Sequence, residues 1–263
     1  MQIRGMGVDN ILEATALCKT FVIGKNNEQE TLKNIHLQIK QGEFVTIMGP
    51  SGSGKSTLLY NISGMERMTS GRVQFKGHEL SELTEEELAR LRLQQMGFIF
   101  QQHHLLKNLS IFDNIILSAY LNKKKNRQQI NDYALKLMKK TGIEKLAKHN
   151  ITQASGGQLQ RVAICRALIN QPQMIFGDEP TGALNSKTAQ EIMALLADIN
   201  NIGTTILLVT HDANVALKTE RVLYMFDGSI TGELHLGKYN PKEQSIKRRE
   251  EKLASWLMSM EST

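Results

Sequence analysis

A chain of 263 residues with 41% apolar and 22% charged side chains has the balance of an ordinary globular protein. No apolar run approaches the ~20 residues of a membrane-spanning helix, and the first ten residues lack the apolar centre of a secretory leader. The only cysteines, Cys18 and Cys165, have no metal or redox spacing, so a chain working in the reducing cytosol is expected.

Taken in chain order, the pattern predicts strands over 11–17, 32–39 and 43–48, with a turn at Gln41-Gly42. A helix follows from Lys55 to before Gly64, then a short strand over 71–77 between glycines. Thr84 and the acidic residues after it open a helix that runs to 95. A strand over 96–101 comes next, and from 110 to 166 the signals are mostly helical. Strand and helix then alternate: strand 173–178, helix 186–200, strand 204–210, helix 212–218, strand 221–226, and a last helix over 245–260. Such alternation predicts an α/β fold with a parallel core. The helical stretch at about 102–166 is expected to form a subdomain, and the early strands before residue 49 a small antiparallel sheet.

The formal net charge is +6, and it is unevenly placed. Lys123, Lys124, Lys125, Arg127, Lys136, Lys139, Lys140, Lys145 and Lys148 face only Asp132 and Glu144 between 121 and 150, so this segment alone exceeds the charge of the whole chain. A solvated helical face is the plain reading; an anionic membrane surface or nucleic acid are the alternatives.

Residues 49–57, GPSGSGKST, fit the phosphate-loop pattern between a strand and a helix, where that loop must sit. Gly49, Ser51, Gly52, Ser53, Gly54, Lys55, Ser56 and Thr57 are therefore candidate nucleotide-binding residues. Backbone N–H groups from Gly52 to Ser56 can wrap a β-phosphate, Lys55 can bridge to the γ-phosphate, and the Ser56 hydroxyl can ligate Mg²⁺. The strand over 173–178 ends in Asp178 and Glu179, followed by a strand-breaking Pro180. An acid at that place can hold Mg²⁺ through water, and the next can polarise an attacking water. His211 and Gln101 also follow strands, on the edge where parallel sheets take ligands. A second anion-attracting helix start lies at Ser155, Gly156, Gly157 and Gln158, where paired glycines admit a close approach to backbone N–H groups.

Together GPSGSGKST, FIFQQHHLL, ASGGQ, MIFGDEP, GALN and VTHD, in that order, resemble the nucleotide-binding subunits of ABC transporters, over about residues 11–232. The resemblance implies a P-loop NTPase core of ABC type with small antiparallel β and helical subdomains, ATP and Mg²⁺ as cofactors, and an ATPase spanning 1–238 with a C-terminal helical extension at 239–263. It implies a head-to-tail homodimer with two ATP molecules between the subunits, in which Ser155–Gln158 of one caps the γ-phosphate held by the other. That accounts for two phosphate-binding helix starts in one chain. By position, Phe21 matches the aromatic that stacks on adenine, Lys55 and Ser56 the phosphate and Mg²⁺ residues, and Gln101 the link between Mg²⁺ and the membrane partner. Asp178 matches the Mg²⁺-associated acid, Glu179 the catalytic base and His211 the γ-phosphate sensor.

The motifs look most like the branch of macrolide-efflux, lipoprotein-release and antimicrobial-peptide (bacitracin-type) resistance ATPases. A separate membrane permease is then the expected partner, with the chain peripheral on the cytoplasmic face of the membrane and no nucleic acid bound. Signalling or force transmission without cargo, or a soluble role in DNA repair or translation, are the competing readings. Three residues depart from the family pattern: Ala154 before SGGQ, Gly177 before Asp178, and Asn185 where Asp communicates between the two sites. Gly177 predicts a looser strand end, and Asn185 puts inter-site coupling in question. Ile246, Leu253, Trp256, Leu257 and Met260 give the last helix one apolar face, expected to dock on this subunit or its dimer partner.

Overall fold

The computed structural model describes residues 10–24, 27–240 and 246–261. The first nine residues, part of the stretch read above for a leader, and Ser245, the expected start of the last helix, lie outside the described residues.

The central sheet has six strands: β3 (Phe44–Met48), β6 (Met96–Phe100), β7 (Met174–Asp178), β8 (Thr205–Val209), β9 (Arg221–Phe226) and β10 (Ser229–His235), in the order β10-β9-β3-β8-β7-β6. Every pairing is parallel except β9 with β10. Strands β3 and β8 are buried at every residue, as parallel strands covered on both faces must be. A second sheet is antiparallel, in the order β2-β1-β4-β5, from β1 (Asn10–Ile23), β2 (Asn27–Lys40), β4 (Ser70–Phe75) and β5 (His78–Glu79).

The early strands therefore divide. The strand expected at 43–48 belongs to the central sheet, because it has no polar face to turn to solvent. Strand β2 instead alternates, burying Leu32, Ile35, Leu37 and Ile39 and exposing the residues between the last three. The small sheet is completed by β4 and β5, which follow the phosphate loop.

Helix α1 (Lys55–Ile62) follows that loop, and α2 (Glu85–Gln95) opens on a capping box between Thr84 and Glu87. The mostly helical stretch resolves into α3 (Ile111–Asn122), α4 (Arg127–Lys140) and α5 (Gly156–Leu168). They share a cluster of their own, with Ile111, Ile115, Ile130, Ala134, Met138, Val162 and Cys165 buried together. Asn114, 2% exposed, is the polar pin of this unit. Its Oδ1 accepts from Leu106 N–H at 2.7 Å and its amide donates to the carbonyls of Leu106, Leu109 and Ser110, which fixes the loop leading from β6. Helix α6 (Ser186–Asn201) covers the central sheet. The helix expected over 212–218 is only the single turn α7 (Ala213–Ala216), capped by Asp212.

Strand β10 was not expected. Its signal is Asp227-Gly228, a two-residue hairpin turn with φ of +42° and +79°, the left-handed pair that a type I′ turn requires.

The last helix, α8 (Ile246–Glu261), docks on β9 and β10 of its own chain. Leu253 is buried, and Trp256, Leu257 and Met260 pack around it against Val222, Tyr224 and Leu234. The Trp256 ring meets Tyr224 edge-on at 6.2 Å. Ile246 stands apart from this face: it is exposed, in the first turn, before the helix meets the sheet. The anchor there is a charge. Arg249, 8% exposed, donates to the carbonyls of Leu217, Thr219, Leu236 and Gly237, so one guanidinium joins α8 to the ends of α7 and β10. Arg249→Ala strands several buried acceptors and is expected to cost about 3 kcal/mol, read as a lower urea midpoint with an unchanged slope.

Candidate active site

The site forms at the C-terminal ends of β3, β7 and β8. The loop after β3 turns through Gly49, Gly52 and Gly54, the last with φ of +98° at the N-cap of α1. A Cβ on Gly49 would stand 2.0 Å from the Met225 carbonyl oxygen, so β9 leaves room for glycine only. The turn of the β9–β10 hairpin supports the loop through Gly228 N–H, which donates to Ser53 O at 3.1 Å. Lys55 reaches back across the loop and donates to the carbonyls of Gly49 at 2.9 Å and Pro50 at 2.8 Å. Burial lowers its pKa, and the charges of Glu179 and Asp178 oppose that shift.

The two acids at the end of β7 have different surroundings. Asp178 accepts the Ser56 hydroxyl at 2.8 Å on one oxygen and the Tyr60 hydroxyl at 2.7 Å on the other. Burial, and then its bond to Asp178, push the Tyr60 phenol up to about 12. Glu179 has φ of +49°, a left-handed conformation doubly disfavoured because the residue is not glycine and precedes Pro180. That twist separates its carboxylate from the partners of Asp178. One Glu179 oxygen accepts from Thr210 Oγ1 at 3.1 Å and the other lies 2.8 Å from His211 Nδ1. When Nδ1 donates to Glu179, a neutral His211 ring leaves Nε2 as an acceptor; a phosphate would then need the doubly protonated ring.

The remaining candidates are spread around this centre. Gln101 directly follows β6 and its amide lies against Gly182, where a Cβ would approach Nε2 to 2.9 Å. Phe21 sits on the small sheet opposite Gln29, with Lys19 Nζ 4.8 Å from its ring centre. The carbonyl of Thr31, two residues along β2, abuts Gly54.

Among the described residues no hydrogen bond links 155–158 to the phosphate loop of the same chain. Ser155 and Gln158 instead form a capping box: Ser155 N–H donates to Gln158 Oε1 at 2.8 Å and Ser155 Oγ accepts from Gln158 N–H at 3.4 Å. The glycine pair also has a local cause that the expectation of close anion approach omitted. A Cβ on Gly157 would lie 2.4 Å from Thr188 Cγ2, whereas one on Gly156 would meet only Leu184 at 3.7 Å. Packing of α5 against the start of α6 thus accounts for the second glycine, and the first stays open to an external group.

Two departures also find physical places. The space beside Gly177 is filled by Leu208, whose Cδ2 would lie 2.5 Å from an added Cβ; the strand end is packed there, not loose. Asn185 is the N-cap of α6, its Oδ1 accepting from Thr188 N–H at 3.0 Å, a bond that Asp would make equally well. Tyr60 was missed, since nothing in a lone tyrosine six residues into a helix signals a carboxylate partner.

The hydroxyl of Ser56 beside the carboxylate of Asp178 is a hard-oxygen pair of the kind that holds Mg²⁺ with most of its waters retained. A sheet edge built this way takes a nucleoside triphosphate with its metal, and that makes the chain a P-loop nucleotide hydrolase.

The family profile described as ABC transporter matches residues 32–182. The ATP-binding cassette MJ0796, solved as a dimer in a post-hydrolysis state bound to ADP and Pi, is 40% identical. The match covers 87% of this chain and 100% of that one, with a TM-score of 0.80. A second dimeric structure of MJ0796, described as a bacterial ABC transporter cassette, gives the same identity and coverage at a TM-score of 0.81. The protein cbiO1 from Clostridium perfringens, described as part of the ABC transporter complex cbiONQ, is 30% identical over 86% of this chain and 89% of that one, with a TM-score of 0.76. The chain belongs to the ABC transporter family, and it is an ATPase that works with ATP and Mg²⁺. No helix among the described residues is long and apolar enough to cross a membrane.

Proposed function

We propose that this chain is the ATP-hydrolysing subunit of a transporter, closing as a homodimer around two ATP molecules to drive a separate membrane permease. The observation that carries the reading is the division of labour at the end of β7, with Asp178 tied to Ser56 and Glu179 turned to His211. The backbone N–H groups of 52–56 and Lys55 hold the β- and γ-phosphates. Ser56 and Asp178 would hold Mg²⁺, and Gln101 borders the same space. Mg²⁺ neutralises charge on the phosphate oxygens when bound. Glu179 takes the proton of the attacking water, and His211 orients that carboxylate and meets the γ-phosphate. Phe21 stacks on the adenine.

The second half of the site comes from the other copy, whose Ser155, Gly156, Gly157 and Gln158 cap the phosphate at the start of α5. The dimers of MJ0796 support this, as does the exposed position of Ser155 and Gly156 at the start of α5. Asn185, which keeps the cap of α6 but lacks the family's charge, points to altered coupling between the two sites. The ATPase unit is assigned to 1–238, with its helical subdomain at about 102–166, and 239–263 to an extension whose helix α8 braces β9 and β10.

Support for a permease comes from a groove of about 430 Å³ between α2, β6, α3 and α5, lined by Met65, Leu93, Phe98, Phe100 and Ala167 among others. Leu117 and Leu121 on α3 are exposed as well. An apolar groove of that size fits a short amphipathic helix of a membrane partner. A subunit so docked sits peripherally on the cytoplasmic face, where the exposed lysines 123–125 come near anionic headgroups, each gaining about 1 kcal/mol. The motif resemblance favours antimicrobial peptides or related amphipathic compounds as cargo.

The test is Ala89→Arg, an exposed position on α2 at the groove edge. The variant is expected to keep the ATPase rate of the isolated subunit and to lose co-purification with integral-membrane protein from detergent extracts of the producing cell. Full retention of the complex by Ala89→Arg would contradict docking at this groove.

A further inference from the structure

We propose that Tyr60 is a positioning residue for the metal-associated carboxylate, the second prong of a clamp in which Ser56 and Tyr60 hold Asp178 from one face of α1. The inference rests on the reading of Ser56 and Asp178 as the Mg²⁺ residues.

Ser56 and Tyr60 are four residues apart on one helix, so their side chains project from the same face. Each donates a hydroxyl to a different oxygen of a single carboxylate, at 2.8 and 2.7 Å. One donor fixes a carboxylate at a point and leaves it free to rotate about its terminal bond. Two donors on opposite oxygens fix its plane.

The prongs differ in what they can do next. The Ser56 hydroxyl points its O–H at Asp178 and keeps lone pairs to offer a cation, so the Asp178 oxygen it contacts is the one that would lie nearer a bound metal. The Tyr60 ring packs against the main apolar cluster beneath the sheet, and its hydroxyl is set by the core. It occupies the other oxygen. Asp178 is thereby presented to the metal site through one oxygen, the arrangement that suits an octahedral, water-retaining Mg²⁺ and works against the bidentate carboxylate contact that Ca²⁺ accepts. Phenylalanine at this place would pack as well and leave that second oxygen free.

Outer-shell partners of metal-associated groups commonly change metal affinity by roughly 10–100-fold when removed. The experiment uses the full chain with saturating ADP and follows Mn²⁺ binding by the paramagnetic resonance of free and bound ion, with Mg²⁺ and Ca²⁺ as competitors. Tyr60→Phe is expected to weaken Mn²⁺ about 10-fold and to narrow the preference for Mg²⁺ over Ca²⁺. ADP affinity in chelator and the melting midpoint should stay those of the unaltered protein. Asp178→Asn serves as the reference. If Asp178→Asn loses Mn²⁺ while Tyr60→Phe binds it unchanged and with unchanged selectivity, the clamp is overturned and the metal reading stands. If Asp178→Asn itself leaves Mn²⁺ binding intact, the metal reading fails, and the clamp with it.

Discussion

Glu179→Gln is expected to slow steady-state ATP hydrolysis by roughly 10²–10⁴-fold and to leave ATP affinity close to that of the unaltered chain. The amide has the shape of the carboxylate: its oxygen can still accept from His211 Nδ1–H, and its NH₂ can donate to the Thr210 hydroxyl, which turns to accept, so both contacts that hold residue 179 survive with one of them reversed. It cannot take a proton from water. The left-handed backbone at 179 is enforced by Glu179 N–H donating to Val209 O at 2.9 Å and by Gly182 N–H donating to Glu179 O at 3.1 Å, and neither bond involves the side chain. The variant therefore separates chemistry from folding. Phosphate release and ATP calorimetry on the same sample check it, and hydrolysis within twofold of normal would remove Glu179 from the role of base.

A large effect on stability is expected at a pair far from the nucleotide. Arg221, the first residue of β9, grips Glu43, just before β3, with two bonds of 2.7 and 2.9 Å, and both side chains are only 9% exposed. The same guanidinium donates to Gln38 O at 2.6 Å, and Glu43 accepts from Lys40 N–H at 3.0 Å. The pair thus ties β9 to the turn that leaves the small sheet. Glu43→Gln leaves a buried guanidinium without its counter-charge, and losses of about 3–5 kcal/mol are typical of such a break. Glu233, half-exposed and 3.3 Å from Arg221 Nη1, keeps part of the compensation, so about 3 kcal/mol is expected here. Urea unfolding measures it. The double variant Glu43→Met with Arg221→Met should recover most of the loss, because two apolar side chains leave no buried charge behind. A single variant as stable as the unaltered chain would show that the pair is solvated in solution.

What could be read from the sequence was local. The phosphate loop, the acids after β7 and the helix start at 155 are contiguous residues whose spacing states their chemistry, and strands such as β8 announce themselves by unbroken apolar runs. Sheet membership was harder. The strand over 43–48 stands beside two strands of the small sheet in sequence, yet it joins the central one because it buries both faces. Strand β10 went unread although Asp227-Gly228 is a strong hairpin signal, since its residues alternate weakly with glycine and threonine among them. Contacts across long separations left no trace at all. Arg249 reads as one of several basic residues in a charged helix, Tyr60 as a core aromatic, and Glu43 and Arg221 lie 178 residues apart. The family resemblance supplied the role of 155–158, and only the packing of α5 on α6 shows that Gly157 also answers to Thr188.

The central claim is that ATP itself joins two copies of this chain, each completing the other's site. Sedimentation of Glu179→Gln with saturating Mg²⁺-ATP, against the same protein with ADP, tests it most directly. Twice the monomer mass, with one ATP retained per chain, is expected in the first case, and the monomer in the second. Monomer mass in both, with ATP bound, would contradict it.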